Sequence, residues 1–211
     1  LFIINRKKSV LCLSLDMLIG DYISIDVLMN DLEQIYSNQQ IVPLKINYRD
    51  YITYTQHQRE DINFLNKFYE DKAYWKNKID LLPGKPEIYT SVDFTDTESK
   101  TFFQKKYTLN ISKWEKFEEK CRKYHITPTA MMLLLYCLTL KQWSKNKDFL
   151  INITVMQRPN IHDDIQKIIG DFTSTTLFEF KESDSNSIKE QATQTQKILF
   201  DNLTHNAFSG I

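Results

Sequence analysis

The sequence predicts an α/β or α+β protein with two lobes. Segments whose apolar residues alternate, as in half-buried strands, are interspersed with segments whose apolar residues recur at helical spacing. The chain has 211 residues, which is enough for one large domain or for two lobes with cores that need no disulfide. No internal repeat or low-complexity tract is present. Because alternation alone does not give the order of the strands, the sheet topology is left open.

Charge and composition disfavour several classes of protein. The 27 Lys and Arg residues balance 27 Asp and Glu residues, and this balance argues against nucleic acid as a partner. The longest apolar stretch, Ala130 to Leu140, is too short to span a bilayer, so we expect a soluble, cytoplasmic protein. The four histidines lack metal-ligand spacing, which disfavours a metalloenzyme. The cysteines, Cys12, Cys121 and Cys137, are expected to be buried thiols.

Neither end of the sequence has the features of a natural terminus. Leu1 to Ile4 is an apolar run without an initiator methionine, and Ile211 follows a Ser-Gly pair within what reads as a structured segment. We therefore expect the chain to be an excerpt from a longer protein.

The first junction between a strand and a helix lies between Leu11 and Tyr36. Residues Val10 to Leu15 are rich in strand formers, whereas the apolar residues from Ile25 to Tyr36 recur at helical spacing. Ser24 is well placed to cap this helix because its hydroxyl can accept from a free amide of the first turn. A strand, a tight connection and a helix are therefore predicted here.

The next segment predicts one long helix and then a boundary. Pro43 to Tyr54 reads as a short extended or irregular segment. The aromatic and aliphatic residues that follow predict a polar helix from about Arg59 to Leu81. Proline and glycine between Leu82 and Pro86 end that helix, and the polar connector Glu87 to Ser99 has no periodicity. This connector is the candidate boundary between the lobes.

The second half begins with a predicted strand and two helices. Thr101 to Leu109 alternates as a half-buried strand does. Ser112 to Glu115 reads as a capping box that opens a helix. Thr127 and Pro128 cap and start a second helix, which is so apolar that we expect it to be buried in the middle of its lobe.

Two further strands and a final helix complete the prediction. Phe149 to Met156 and Phe172 to Phe180 read as strands. Between them, Arg158 to Asp171 is irregular with one short helical turn. Ser187 and Glu190 form a capping box that starts a helix ending near Leu203.

Asp16 and Asp21 lie among leucine, methionine and isoleucine and need a polar partner. Two aspartates five residues apart do not share a helix face, so they read as flanking a tight connection through Gly20. An uncompensated buried charge costs on the order of several kcal/mol, so a cationic partner elsewhere in the chain is required. Arg158 is one of only five arginines, and a guanidinium can give a carboxylate two parallel hydrogen bonds. We predict that Arg158 pairs with Asp21, the alternative being an exposed loop arginine.

Three further residues are candidates for a site of acyl transfer. Asn152 and Thr154 fall on one face of their predicted strand and could donate to a carbonyl oxygen as negative charge develops on it. The alternative is a polar face of an edge strand. Asp171, which follows Gly170, could be a general base, an orienting group or a turn residue, and the sequence alone favours the turn.

Seven segments in chain order resemble the heterocyclization domains of non-ribosomal peptide synthetases, a branch of the condensation-domain superfamily. The first is DMLIGDYIS, Asp16 to Ser24, which fits the DxxxxDxxS signature that replaces the HHxxxDG of ordinary condensation domains. The others are NYRDY at 47–51, YW and LP between 74 and 83, ITPTAMMLLLYCLTLKQWS at 126–144, NITVMQRP at 152–159, GDFTS at 170–174 and HNAFSG at 205–210.

The resemblance implies a chloramphenicol-acetyltransferase-like fold of two lobes, present here as a fragment. Residues 1–96 would form the C-terminal part of the first lobe and residues 97–211 the N-terminal part of the second. The 4'-phosphopantetheine arms of upstream and downstream peptidyl carrier domains would enter a tunnel between the lobes, and an adenylation domain would lie in the same synthetase. No cofactor bound by the chain itself, no metal and no membrane contact are implied.

The resemblance also implies a two-step reaction. The amine of a carrier-bound cysteine, serine or threonine attacks an acyl thioester, and its side chain then adds to the new amide, so that loss of water leaves a thiazoline or oxazoline, as in siderophores and other secondary metabolites. A condensation domain without the second step, and a module that only docks carrier domains, are the alternatives.

Roles follow residue by residue from the matched segments. Asp16, Asp21 and Ser24 match the signature, and Arg158 matches the arginine that pairs with the second aspartate. Met17 stands where ordinary condensation domains carry the catalytic histidine, which excludes histidine catalysis at this position.

The downstream segments supply the remaining candidates. Asn152 matches a tunnel asparagine, and Asp171 and Thr173 match the GDFT stretch. The threonine and aspartate most associated with cyclodehydration would lie beyond Ile211. Departures from the family at Met156, Gln157 and Asp163 concern the shape of the tunnel wall.

Overall fold

A computed structural model describes residues 2–89, 103–183 and 187–208. Within these ranges the helices are α1 (Tyr22–Tyr36), α2 (Tyr48–Gln58), α3 (Ile62–Ile79), α4 (Ile111–Lys123), α5 (Pro128–Trp143) and α6 (Ile188–Thr204). The strands are β1 (Phe2–Asn5), β2 (Lys8–Val10), β3 (Phe149–Met156) and β4 (Thr173–Phe180), and a 3-10 turn spans Ile165–Lys167. β1 pairs with β2, and β3 pairs with β4.

The chain groups into two compact units, each built from two segments. The first unit contains Leu1–Lys67 and Thr154–Thr175, and the second contains Phe68–Ile153 and Thr176–Ile211. The residues of α3, β3 and β4 are therefore divided between the units. The lobe boundary expected at residues 96 and 97 lies outside the described residues, and a division of the chain there stays a prediction.

The first unit has a small core beside α1. Ile165, Ile168 and Phe172 are buried together, and the partly buried residues that pack against them are Ile46, Tyr48, Tyr51 and Ile161. The 3-10 turn expected between the strands is confirmed and packs against α1. The buried side chains of Ile165 and Ile168 lie in and just after this turn. Apolar contacts therefore hold the irregular connection after β3 in place.

Two predictions in the first unit are wrong. β2 ends at Val10, and residues 11–16 form no strand, so the cysteine in this stretch, Cys12, is exposed. Pro43 to Tyr54 was expected to lack a helix, but α2 begins at Tyr48. The Asn47 side chain accepts from the amides of Arg49 and Asp50, and the Asp50 carboxylate accepts from the Asn47 amide at 2.8 Å. This reciprocal cap starts a helix that composition alone does not predict.

The second unit has a larger apolar core around α5 and α6. The buried residues of this core are Ile126, Ala130, Leu134, Cys137, Phe149, Phe178, Phe180, Ala192 and Leu199. The predicted caps at Thr127 and Ser187 are confirmed: each side-chain hydroxyl accepts from the amide three residues later. Burial of α5 is confirmed for one face only, because Tyr136 and Trp143 are 56% and 67% exposed.

The strands of the second half were predicted with mixed success. β3 matches its prediction at both ends, and β4 begins one residue later than expected. No strand forms over residues 103–110, where Phe103 and Tyr107 are 91% and 88% exposed. The alternating pattern there lacks a neighbouring strand to pair with among the described residues. α4 is capped by Asn110 rather than by Ser112, because the Asn110 side chain accepts from the Lys113 amide at 3.0 Å.

The predicted helix from about Arg59 to Leu81 is confirmed as α3, which begins three residues later and ends two residues earlier than expected. Among the described residues, no helix combines the length and the apolar character that crossing a membrane would require.

Candidate functional site

The predicted site residues of the first unit meet at the N-terminus of α1. Asp21 is the N-cap, and its Oδ1 accepts from the Ser24 amide at 2.8 Å. The Ser24 hydroxyl in turn accepts from the Asp21 amide at 3.2 Å. Ser24 therefore completes a capping box from the third helical position, and its predicted role as the N-cap is wrong by three residues.

Arg158 reaches this cap and confirms the predicted ion pair. Its Nη2 lies 2.7 Å from Asp21 Oδ1, and both side chains are almost fully buried. The guanidinium does not clasp the carboxylate with two parallel bonds, because its Nη1 donates instead to the carbonyls of Ile165 at 3.0 Å and Ile168 at 2.8 Å. Arg158 thus ties the cap of α1 to the 3-10 turn, with its planar group lying 4.2 Å from the centre of the Phe172 ring.

The Ser24 hydroxyl is the centre of a fully buried hydrogen-bond network. Its oxygen lies 2.7 Å from Asp21 Oδ1 and 3.0 Å from the Gly170 carbonyl, and it accepts from the Gly170 amide at 3.1 Å. The Gly170 carbonyl also accepts from the Asp21 amide at 3.1 Å. A hydroxyl has one proton and two lone pairs, so this one side chain joins the helix cap to the GDFT stretch from both its donor and its acceptor side.

An aromatic cluster covers the same stretch. The Tyr48, Tyr51 and Phe172 rings lie with centroids 4.5 to 5.6 Å apart. The Tyr48 hydroxyl donates to the Asp171 carbonyl at 2.7 Å. Burial first, and then the nearby carboxylates of Asp171 and Asp21, raise the pKa of Tyr48 above 10.0, so it stays a hydrogen-bond donor at neutral pH.

The remaining sequence candidates occupy less enclosed positions. Asp16 is exposed, and its carboxylate accepts from the Leu18 amide at 2.9 Å, as in a turn. The Asp171 side chain accepts from the Thr173 amide at 2.9 Å, which is the turn that the sequence favoured. Thr154 lies on the exposed side of β3, and Asn152, which belongs to the second unit, shares the exposed alternation along that strand.

The first unit also contains an open groove of about 580 Å³ that holds none of the predicted site residues. It is lined by one side of α1, by residues 41–45 and by residues 162–164 and 167. Asp164 is its most connected charge, because it accepts from the Lys45 amide at 3.2 Å and from Lys167 Nζ at 3.1 Å. Among the described residues, no cluster of three histidine, cysteine, aspartate or glutamate side chains could hold a metal ion.

The second unit contains a buried polar network that the sequence did not predict. Asn202, which is 1% exposed, accepts from the Tyr74 hydroxyl at 2.8 Å and from Lys78 Nζ at 2.9 Å. Lys78 also forms a salt bridge of 2.9 Å with Glu179, and the His205 ring stacks on Tyr74 with centroids 3.8 Å apart. Tyr74 and His205 lie in two of the segments that resemble the family, and this was the signal in the sequence from which the network could have been found.

The capping network implies a dependence of stability on pH. Burial of the Asp21 carboxyl raises its pKa, but hydrogen bonds from Arg158 and Ser24 and the charge of Arg158 outweigh burial, so the pKa lies below 3.8. A carboxyl whose pKa is lower in the folded state contributes stability above its unfolded pKa, and this contribution disappears as the pH falls through the folded value.

We therefore expect the free energy of unfolding, measured in urea, to fall as the pH decreases below about 4. The Asp21→Asn variant, whose side chain does not titrate, should lose less stability over the same range. If the free energy of unfolding falls equally steeply with decreasing pH in both proteins, Asp21 does not cause the pH dependence.

Comparisons with known proteins agree on one family. The family model of the condensation domain matches residues 1–209. Bacitracin synthase 1 of Bacillus licheniformis is 30% identical over 215 residues, which cover 100% of this chain and 4% of that protein. Pyochelin synthetase PchF of Pseudomonas aeruginosa is 28% identical over 99% of this chain and 11% of its own length. Phenyloxazoline synthase MbtB of a Mycobacterium species is 25% identical over 93% of this chain and 16% of its length.

Solved structures give the same result for the fold. The cyclization-docking bidomain of EpoB from Sorangium cellulosum has a TM-score of 0.81 at 23% identity, over 90% of this chain and 38% of that chain. The epimerization domain of tyrocidine synthetase TycB3 has a TM-score of 0.71 at 20% identity, over 88% of this chain and 42% of that chain. The fold predicted from the sequence is therefore confirmed, and the chain covers less than half of each of these structures.

Proposed function

The chain belongs to the condensation-domain family, and from that premise we propose that it is part of a heterocyclization domain of a non-ribosomal peptide synthetase. The proposed substrates are an acyl thioester and a cysteine, serine or threonine thioester, each held on the phosphopantetheine arm of a peptidyl carrier domain. The expected product is a thiazoline or oxazoline. The downstream carrier and an adenylation domain are proposed to lie in the same synthetase.

The signature DMLIGDYIS is the observation that most supports this proposal. Its second aspartate and its serine, Asp21 and Ser24, are both fully buried and both contact Arg158. These two residues of the signature therefore have defined partners in the folded protein. Met17, at the position of the histidine of ordinary condensation domains, has a thioether that cannot accept a proton at neutral pH. One relative is named a phenyloxazoline synthase and one solved neighbour a cyclization domain, which supports ring formation.

The proposed reaction has two steps. In the first, the amine nitrogen bonds to the thioester carbonyl carbon, the carbon–sulfur bond breaks, and the proton lost by the amine is taken up with the departing thiolate. In the second, the sulfur or oxygen of the side chain loses its proton and bonds to the amide carbon. The amide nitrogen then loses its proton as a carbon–nitrogen double bond forms, and the former carbonyl oxygen takes up both protons and leaves as water. Both steps place negative charge on a carbonyl oxygen, so hydrogen-bond donors would accelerate them.

The residues of this chain are proposed to act in three ways. Asp21, Ser24 and Arg158 would hold the start of α1 and the GDFT stretch in place. Asn152 and Thr154, on the exposed side of β3, would offer hydrogen bonds to the reacting carbonyl. The candidates for moving protons are Asp171 and Thr173.

The mass of the product tests the proposed function. The complete synthetase that contains this chain, supplied with carrier-bound acyl donor and cysteine, is expected to give a product lighter than the open-chain amide by one water. Open-chain amide alone would indicate a condensation domain, and absence of any amide would indicate a docking module. Either result would contradict the proposal.

The Asn152→Ala variant tests one proposed donor. Since Asn152 is exposed on β3, we expect its free energy of unfolding to change by less than about 0.5 kcal/mol, while both chemical steps slow roughly a hundredfold. The matched control is Asn63→Ala, at an exposed position of α3. If single-turnover rates of both steps are unchanged in Asn152→Ala, this residue has no part in the site.

A further inference from the structure

The segment from Gly170 to Thr173 is held on two sides within the first unit. On one side, the amide and the carbonyl of Gly170 both bond to the Ser24 hydroxyl, at 3.1 and 3.0 Å. On the other side, the Tyr48 hydroxyl donates to the Asp171 carbonyl at 2.7 Å. The segment carries two residues that the proposed function uses, Asp171 and Thr173, whose contact with each other is the turn described above.

Tyr48 contacts this segment with its ring as well as with its hydroxyl. A Cβ atom placed on Gly170 would lie 2.1 Å from Tyr48 Cδ2, a distance that real Cβ atoms do not adopt. The ring therefore packs directly against the glycine backbone, and it is fixed there by edge contact with Phe172 at 5.3 Å between centroids. Phe172 is also in contact with the Arg158 guanidinium. Tyr48 is therefore linked to the ion pair through the Phe172 ring.

The position of Tyr48 in turn depends on the N-terminus of α2. Asn47 and Asp50 form the reciprocal cap there, so Tyr48 is the first helical residue after a fixed N-cap. The NYRDY segment thus combines a cap that sets the start of a helix with an aromatic side chain directed at the GDFT stretch. Neither the ion pair nor the proposed chemistry accounts for this arrangement.

We propose that Tyr48 is a positioning residue for ring closure, which fixes the Gly170–Thr173 segment through its bond to the Asp171 carbonyl and its packing on Gly170. This inference rests on the proposed function and assigns a role to the NYRDY segment. Condensation joins two groups that are both tethered and depends mainly on their proximity. Ring closure also needs proton transfer to the departing oxygen, and is therefore more sensitive to where Asp171 and Thr173 lie.

The Tyr48→Phe variant in the complete synthetase tests this role, because it removes the hydroxyl and keeps the ring. We expect the ratio of ring product to open-chain amide to fall by about three- to tenfold, the factor that loss of one ordinary hydrogen bond gives. The urea midpoint should change little. The matched control is Tyr54→Phe, which makes the same change at an exposed position of the same helix and should leave the ratio unaltered.

A second measurement does not depend on turnover. Hydrogen exchange at the amides of Gly170 and Thr173, which donate to Ser24 and Asp171, should be faster by a similar factor in Tyr48→Phe and unchanged in Tyr54→Phe. A purely structural role would lower the yields of both products together and leave their ratio constant. An unchanged ratio, or unchanged exchange at both amides, would overturn the proposal.

The same experiment separates failure of this inference from failure of the proposed function. If the wild-type protein forms only open-chain amide, the proposed function is wrong. The role of Tyr48 in ring closure would then be overturned as well, whereas faster exchange at the Gly170 and Thr173 amides in Tyr48→Phe would still show that Tyr48 fixes this segment. Rings formed by the wild-type protein with an unchanged ratio in Tyr48→Phe would overturn the Tyr48 proposal alone.

Discussion

Replacement of Asp21 by alanine is expected to lower the free energy of unfolding by about 3–5 kcal/mol, because it leaves the Arg158 guanidinium buried without its carboxylate. The side chains of Arg158 and Asp21 are only 2% and 0% exposed, so water would not replace the lost partner. The variant also loses the N-cap of α1 and one contact of the Ser24 hydroxyl. We expect a large decrease in the urea midpoint and in the yield of soluble protein.

The matched control is Asp16→Ala, which removes the other aspartate of the signature. Asp16 is exposed and accepts from one nearby amide, so its loss should change the free energy of unfolding by less than about 1 kcal/mol. A well-folded Asp21→Ala protein with a normal urea midpoint and selectively lost turnover would contradict the structural role and place Asp21 in the chemistry instead.

Replacement of Gly170 by alanine is expected to destabilise the protein by at least about 1–3 kcal/mol, the range found for overpacking. The new methyl group would meet the side of the Tyr48 ring at 2.1 Å. The ring cannot move aside without losing its hydrogen bond to Asp171 and its contacts with Tyr51 and Phe172. The Gly170 backbone is equally fixed, because it is bonded to Ser24 and Asp21.

Two further variants isolate the cause. A Cβ on Gly84 has no neighbour within 4 Å, so Gly84→Ala should be neutral or slightly stabilising when unfolding is followed by urea titration. In the double variant Gly170→Ala with Tyr48→Ala the clash is removed, and its destabilisation should be smaller than the sum of the two single effects. Additive effects would mean that the methyl group is accommodated without contacting the ring.

The chemistry of single residues predicted the ion pair, whereas the way in which its atoms bond could not be predicted. An aspartate among apolar residues requires a cation, and a rare arginine after an apolar strand was the best candidate. The sequence does not contain the position of the Ile165 and Ile168 carbonyls, which attract one arm of Arg158 away from the carboxylate. That competition exists only after the 3-10 turn has formed.

Helix starts were predicted well where the capping residue precedes a strongly apolar run, as at Thr127. They were predicted wrongly at Asp21 and Asn110, where more than one residue near the start could cap. The helix that begins after Asn47 was not predicted at all. The expected strand near Tyr107 failed for a different reason, since alternation describes one strand while pairing requires a second.

The arm of Arg158 that binds two carbonyls makes this position specific for arginine. The chain obtains most of its positive charge from lysine, with five arginines among 27 basic residues. The guanidinium contacts Asp21 through Nη2 and the two carbonyls through Nη1. A lysine ammonium carries all of its donors on one nitrogen and does not reproduce this separation. A lysine at position 158 would therefore keep a positive charge next to Asp21 and still leave the Ile165 and Ile168 carbonyls without their donor.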